Sequence, residues 1–314
     1  MRSTRATSSS RRLTWTRTQV RDAEPSPDTA LPRHATVRTS TAASSSPATG
    51  DGVGAWRVIL VGALAGFTSG LFGVGGGVVI VPALVLLAGF GQRMAHGTSL
   101  TAIAPISIAG VIGYGVADEV EWTVAGLVAV GAVAGATVGT RWLGSVSQPA
   151  LQIGFAGVLL VTAAGLVTDT PPDAAPQALH ALTGMGYVIL GVGAGVLAGL
   201  MGVGGGVIIV PVLTIAFGLP LAIAKGTSLA VIVPTAIMGT QRNVRHGHTR
   251  LRPGLLVGAA GVASALVASQ ISLALDARVS SLSFAVLLLF VAVRLTVIGF
   301  RERQARGSGT TLVG

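Results

Sequence analysis

Cysteine is absent from this chain of 314 residues, which excludes disulfides and thiolate metal sites. Charge is scarce as well: 10% of the residues are charged and 51% hydrophobic, whereas a soluble domain carries about a quarter charged residues. Such a chain belongs in a bilayer. The eleven acidic residues stand at 22, 24, 28, 51, 118, 119, 121, 169, 173, 276 and 302, and none falls in the middle of an apolar run. A pump with a buried carboxylate relay, or a cation site built on Asp and Glu, would place at least one there. No buried acid, nucleophile pair or metal-ligating His pair recurs at span depth, which argues against an intramembrane enzyme. Catalytic residues, metal sites and cofactors are therefore expected to be none. Lysine is all but missing: Lys225 is the single one, and every other basic residue is Arg.

What the chain does contain is a succession of apolar runs from Trp56 to Phe300, often near or above the ~20 residues needed to span the hydrocarbon core. The alternation of a β-barrel is lacking, so helices are the structure that can satisfy the backbone in lipid. Glycine, 45 residues of it, is plentiful where helices must pack closely. The fold class expected is all-α, a polytopic membrane protein of about eight to ten hydrophobic helices.

The chain is also a tandem duplication. Gly70-Leu-Phe-Gly-Val-Gly-Gly-Gly-Val-Val-Ile-Val-Pro82 recurs as Gly199-Leu-Met-Gly-Val-Gly-Gly-Gly-Val-Ile-Ile-Val-Pro211, an offset of 129 residues. Without a gap the same offset pairs Gly62 with Gly191, Gly97-Thr-Ser-Leu100 with Gly226-Thr-Ser-Leu229, and Pro105 with Pro234. The expected organisation is a disordered tail over 1–54, repeat 1 over 55–167, an external linker over 168–183, repeat 2 over 184–300 and a basic tail over 301–314. Hydrophobic segments fall near 55–72, 76–90, 98–116, 122–141 and 149–167, then 184–201, 205–219, 227–241, 253–274 and 281–299. The first two of each set are short, and the sequence leaves open whether they are full spans or arms of a re-entrant hairpin.

Charge distribution orients the chain. Basic residues flank both ends, with Arg57 before the first span and Arg301, Arg303 and Arg306 after the last, which places both termini in the cytoplasm. The linker holds Asp169 and Asp173 without Lys or Arg and should face outward. Asp118, Glu119 and Glu121 of repeat 1 correspond to Gly247, His248 and Arg250 of repeat 2, amid Arg242, Arg245 and Arg252. One loop is acidic and its repeat basic, so the repeats should be inverted, related by an axis in the membrane plane. The net charge of +10 owes much to the Arg-rich tail. That tail lacks an aromatic platform beyond Trp15, so anionic lipid headgroups suit it better than nucleic acid. Arg11-Arg12 is not followed by the apolar stretch of an export signal.

Gly73, Gly75, Gly76 and Gly77, with Gly202, Gly204, Gly205 and Gly206, each precede an apolar helical run. Glycine lets the backbone turn inside the membrane, and the freed N–H groups at the new helix start form an anion cradle. Close helix packing is the plainer role of such glycines, but two copies at equal offset, each ending in Pro, favour a site. A dinucleotide-binding role is disfavoured because no βαβ context surrounds them. Thr98-Ser99 and Thr227-Ser228 open the next helix of each half, where hydroxyls either cap the helix or meet the anion. His96 and Lys225 precede them at matching positions as candidates for substrate contact or gating, with Lys225 otherwise snorkelling to the interface. Gln270 lines the path or makes a polar helix contact, and Arg294 near a segment end reads as an interface anchor.

The doubled GLxGVGGGxxIVP followed by GTSL and a proline-containing helix resembles the sulfite exporter TauE/SafE family of membrane permeases, over about 57–300. The resemblance implies a multi-pass inner-membrane transporter of sulfite, sulfonates or related sulfur oxyanions, with both glycine segments and Thr98, Ser99, Thr227 and Ser228 flanking the path. The long tail is not part of that pattern. The function expected is a secondary transporter exporting a small sulfur-containing anion by alternating access, in the plasma membrane, without nucleic acid and possible as a homo-oligomer. Import of a thiosulfate or organosulfonate type of anion is the alternative; an anion channel is a third. Neither direction nor coupling ion is legible.

Overall fold

The apolar runs form helices throughout the computed structural model, which describes residues 55–142, 148–168, 181–201 and 204–308 and contains no strand among them. The helices are α1 (Ala55–Phe72), α2 (Gly77–Ala88), α3 (Gln92–Val116), α4 (Trp122–Trp142), α5 (Gln148–Thr168), α6 (Ala181–Met201), α7 (Gly206–Ile215), α8 (Leu221–Arg245), α9 (Leu251–Ala274) and α10 (Ala277–Ser308). Four of them, α3, α8, α9 and the first part of α10, are long and apolar enough to cross a membrane by length and composition. The expected tail over 1–54 and almost all of the linker lie outside the described residues.

The distribution of side chains is that of a protein solvated by lipid. Leu86, Val116, Val161 and Leu182 are largely exposed, while Ser69, Thr98, Ser99, Ser107, Thr227, Ser228 and Ser269 are fully buried. Water would reverse that arrangement; hydrocarbon favours it, because a hydroxyl is cheaper among protein partners than among lipid tails.

Helices α2 and α7 have 12 and 10 residues, about 18 and 15 Å at 1.5 Å per residue, or half the ~30 Å core. They are half-helices. Both carry an internal proline, Pro82 and Pro211, and α3 and α8 carry Pro105 and Pro234 at matching places. Helices α3 and α8 start earlier than the sequence expectation, at Gln92 and Leu221, so the GTSL segments sit in the second turn instead of opening the helix. Met94-Ala95 and Leu221–Ala224 extend the apolar face ahead of the glycine and suffice to wind that first turn.

Packing exchanges helices between the repeats. Helix α1 lies along α9 and α6 along α4, α3 packs on α9 and α8 on α4, and α5 pairs with α10. Each contact maps onto its partner, or onto itself, under the offset of 129. The glycines set the approach. A Cβ at Gly62, Gly66 or Gly70 of α1 would fall on the carbonyl oxygens of Val257, Gly261 and Ala265 in turn, so α1 and α9 run parallel with backbones in contact. Gly191 and Gly195 of α6 meet Val128 and Ala132 of α4 in the same way. At the centre α3 and α8 run antiparallel, since Gly110 faces Leu229 while its counterpart Gly239 faces Leu100. The two buried apolar clusters reflect the exchange: one draws on α1, α2, α3, α8 and α9, the other on α4 to α8 and α10 with Phe72 at the end of α1.

Gly66→Val and Gly195→Val should each cost about 1–3 kcal/mol through forced separation of the helix pairs. The detergent-solubilised protein would then melt several degrees lower in a thermal unfolding assay. Gly126→Val, where an added Cβ meets nothing within 4 Å, should leave the melting temperature near that of the parent.

Candidate functional site

The two glycine segments meet at the middle of the α3–α8 pair. Gly73, Gly75 and Gly76 have φ of 72°, 79° and 73°, and Gly204 and Gly205 have 86° and 76°. These are left-handed conformations that only glycine adopts without strain. A Cβ on Gly75 would lie 3.2 Å from Ile232 and 3.3 Å from Ile103; one on Gly204 would lie 3.4 and 3.6 Å from the same two side chains. Ile103 and Ile232 are counterparts under the offset, so both breaks abut one apolar pair. The loops also touch each other, because a Cβ on Gly206 would lie 2.8 Å from the Gly73 carbonyl oxygen and 2.9 Å from Val74 Cα. Gly202 lies outside the described residues.

From this meeting point the half-helices diverge. Helix α2 leads to the N-terminal end of α3 and α7 to that of α8, and because α3 and α8 are antiparallel, α2 and α7 run to opposite ends. Their N-termini are thus brought together at the centre. Gly76 and Gly205 are the N-caps, and neither end receives a side-chain capping hydrogen bond. The carbonyls of Gly76 and Gly205 accept from Val79 and Ile80 and from Ile208 and Ile209, whereas the N–H groups of Gly77 and Gly206 belong to the first residues of the new helices, which have no intrahelical acceptor. Two positive helix ends therefore face one buried spot.

Two buried hydroxyls without partners lie on the helices that pack against it. Ser69 is fully buried and its Oγ has no hydrogen-bond partner. It stands one turn beyond Ala65, the residue whose backbone lies under Gly76, and so shares the α1 face turned to the break. Its counterpart Ala198 has its Cβ 3.3 Å from the Cβ position of Gly205. Ser107 Oγ is also buried and unpartnered, and the antiparallel register places it level with Ile232. Sequence reasoning missed both serines. The signal available was their position, Ser69 directly before Gly70 and Ser107 one turn after Ile103.

The hydroxyls singled out from sequence divide by role. Thr98 Oγ1 accepts from the backbone N–H of Arg250 at 3.1 Å, and Thr227 Oγ1 accepts from that of Glu121 at 3.0 Å. Each threonine thereby holds the loop between the third and fourth helices of the opposite repeat, and Gly97 and Gly226 beside them admit the carbonyls of His248 and Glu119. Ser228 Oγ donates to the Gly73 carbonyl at 2.9 Å, tying α8 directly to the break; Ser99 Oγ donates to the His96 carbonyl at 2.8 Å. His96 is half-buried near the start of α3.

Lys225 does not snorkel. It is 1% exposed, and its Nζ donates to Ser272 Oγ at 3.0 Å and Ser280 Oγ at 2.7 Å. Gln270 makes a helix contact, donating from Nε2 to the Gly113 carbonyl at 3.2 Å. Arg294 is mid-helix, because α10 continues to Ser308, and its Nη1 donates to the Val78 carbonyl at 3.3 Å. In the loop after α3, burial raises the Glu119 carboxyl above the ordinary range, with Asp118 adding to it. No group of three or more metal-ligating side chains occurs among the described residues.

Comparison with known proteins agrees with this architecture. The family model described as sulfite exporter TauE/SafE matches residues 26–166 and 187–314. That match begins inside the segment set apart as a tail by sequence. A probable membrane transporter protein of Xylella fastidiosa (strain Temecula1) is 30% identical over 190 residues, covering 59% of this chain and 72% of the relative. One from Haemophilus influenzae is 32% identical over 177 residues, 54% of this chain and 66% of the relative. The probable membrane transporter protein YunE of Bacillus subtilis is 23% identical over 215 residues, 61% and 78% of the two chains. No solved structure matches the chain. With most of its length matched in both repeats, the chain belongs to the sulfite exporter TauE/SafE family and is a multi-pass membrane transporter.

Proposed function

We propose that this protein exports small sulfur-containing oxyanions, sulfite or a sulfonate, by alternating access across the plasma membrane, with both termini in the cytoplasm. The observation that carries the reading is the meeting of two uncapped half-helix N-termini at Gly76 and Gly205 beside the unpartnered hydroxyls of Ser69 and Ser107. Backbone N–H groups, positive helix ends and hydroxyl donors in a dry interior favour an anion over a cation. The sulfur in the assignment rests on the family description.

The same arrangement supports alternating access. All of Gly73–Gly77 and Gly204–Gly206 are buried, with Ile103 and Ile232 closing over them, so the site is sealed from both ends. The antiparallel α3 and α8, being equivalent helices, support two inverted repeats that trade conformations. Thr98 and Thr227 latch each repeat to a loop of the other and serve as matching hinges. An inside-negative potential drives an anion outward by about 2.3 kcal/mol per charge per 100 mV, so export requires no buried carboxylate for proton coupling.

Efflux of labelled sulfite from proteoliposomes under an imposed potential should saturate and rise with inside-negative voltage. Gly75→Leu and Gly204→Leu, each forcing a side chain into a left-handed position against Ile103 and Ile232, should reduce it at least about tenfold while the proteins remain monodisperse. Undiminished flux in both variants would overturn the site. The absence of cysteine makes sidedness directly measurable: in single-cysteine variants, Asp118→Cys should react with an impermeant maleimide from outside the cell and His248→Cys only after permeabilisation. Equal labelling of both would refute inverted repeats.

A further inference from the structure

The glycine breaks are duplicated, but the charge beside them is not. Lys225, in the second turn of α8, has its backbone against the first break: a Cβ on Gly73 would lie 2.7 Å from Lys225 Cα. Ser228, one turn on, holds the Gly73 carbonyl. The ammonium of Lys225 is buried with two serine hydroxyls as its hydrogen-bond partners, Ser272 at the end of α9 and Ser280 at the start of α10. No carboxylate pairs with it among the described residues, where the acids are confined to the 118–121 loop, to the exposed Asp276 and to Glu302 near the end of α10. Beside Ser280, Ser281 is 1% exposed and its Oγ has no partner.

An ammonium withdrawn from water is costly unless a negative charge answers it. Part of the answer is built in. Ser272 Oγ passes the hydrogen bond to the Leu71 carbonyl at 3.0 Å, and Tyr114 OH donates to the Gly70 carbonyl at 2.9 Å, so the ammonium sits by the C-terminal, negative end of α1 as well as that of α9. Helix ends supply about half a charge each, screened and off-axis; hydroxyls supply none. A full positive charge and three serines, one of them with an unused hydroxyl, are closed from solvent with no carboxylate of the described residues to answer the charge.

We propose that Lys225, Ser272, Ser280 and Ser281 form a second oxyanion subsite beside the first break and towards the N-terminal end of α8, whose ammonium is answered by the oxygens of the transported anion. The proposal rests on the anion-transport reading above and adds an asymmetry to it. The counterparts of Lys225, Ser272, Ser280 and Ser281 in the other repeat are His96, Leu143, Leu151 and Gln152. At those positions the sequence has neither an ammonium nor these serines, so the buried lysine marks one end of the pseudo-symmetric path. It lies at the N-terminal end of α8, the end that also carries the acidic 118–121 loop, whose Glu119 carbonyl abuts Gly226. In an exporter this end is the last station before release. The acidic loop beyond it repels the departing anion back from the surface and thereby discourages its return.

The test is thermal unfolding of the full-length protein in detergent, titrated with sodium sulfite against sodium chloride at equal ionic strength. Wild type should gain stability with sulfite beyond chloride. Lys225→Met and Ser280→Ala should lose the gain, and Lys225→Arg should keep most of it by preserving the charge. In proteoliposomes, Lys225→Met should raise the half-saturating sulfite concentration about tenfold or more when substrate is offered at the α8 N-terminal end, and much less from the other. A sulfite gain that survives in folded Lys225→Met, or its absence from wild type, overturns the subsite. Gly75→Leu separates the two sites: flux lost with the sulfite gain retained supports the subsite and the central site as distinct. A gain retained in wild type that shows no flux would overturn the transport reading and leave the binding subsite standing.

Discussion

The demand that every backbone polar group be satisfied away from water governs this molecule. A helix broken at membrane depth exposes N–H and C=O groups that hydrocarbon cannot solvate. This chain breaks two helices in the middle of the protein, so the rest of the structure is arranged to receive the freed groups. The carbonyls at the end of α1 are met by Tyr114, Ser272 and Ser228, from α3, α9 and α8. The freed amides at the start of α2 and α7 receive no side-chain cap. Carbonyls answered and amides left open make a place that is electropositive without a charged side chain, and that difference is what supports the anion reading proposed above.

Small residues make the arrangement possible. Helices α1 and α6 are drawn against α9 and α4 with backbones in contact, because glycines at four-residue intervals present no side chain there. Lipid gives no hydrophobic reason for apolar helices to associate, so van der Waals contact along such glycine stripes and hydrogen bonds between helices do the work. The exchange of helices between repeats has a functional consequence. A movement of one repeat pulls on the other through Thr98 and the Arg250 amide, and through Thr227 and the Glu121 amide. In the alternating-access mechanism proposed above, these contacts link access at one end to closure at the other, which is what a carrier requires and a channel does not.

Symmetry of backbone combined with asymmetry of side chains gives the two ends of a carrier unequal affinity for substrate, while the driving force sets the net direction. The scaffold supplies two equivalent states of similar energy; the side chains bias them. Here the bias is concentrated in a buried lysine and its serines near one break, opposite a histidine and leucines at the corresponding positions.

The amino-acid sequence by itself determined the membrane setting, the duplication, an all-helical chain of about eight to ten hydrophobic segments, the glycine breaks and the family. All of these rest on local composition or on a repeat visible in one dimension, and each is fixed by the backbone's need for hydrogen bonds in lipid. Only the tertiary structure decided which groups meet. Thr98 and Thr227 looked like helix-opening ligands and turned out to hold loops of the opposite repeat, because the first turns of α3 and α8 wind ahead of them. Lys225 looked able to reach the interface, but α9 and α10 close over it. Ser69 and Ser107, undistinguished in sequence, are orphaned hydroxyls at the centre because α1 and α3 face the breaks. Such partnerships depend on the register of helices more than a hundred residues apart in the chain, set by side-chain volume across each contact, and no local pattern encodes that register.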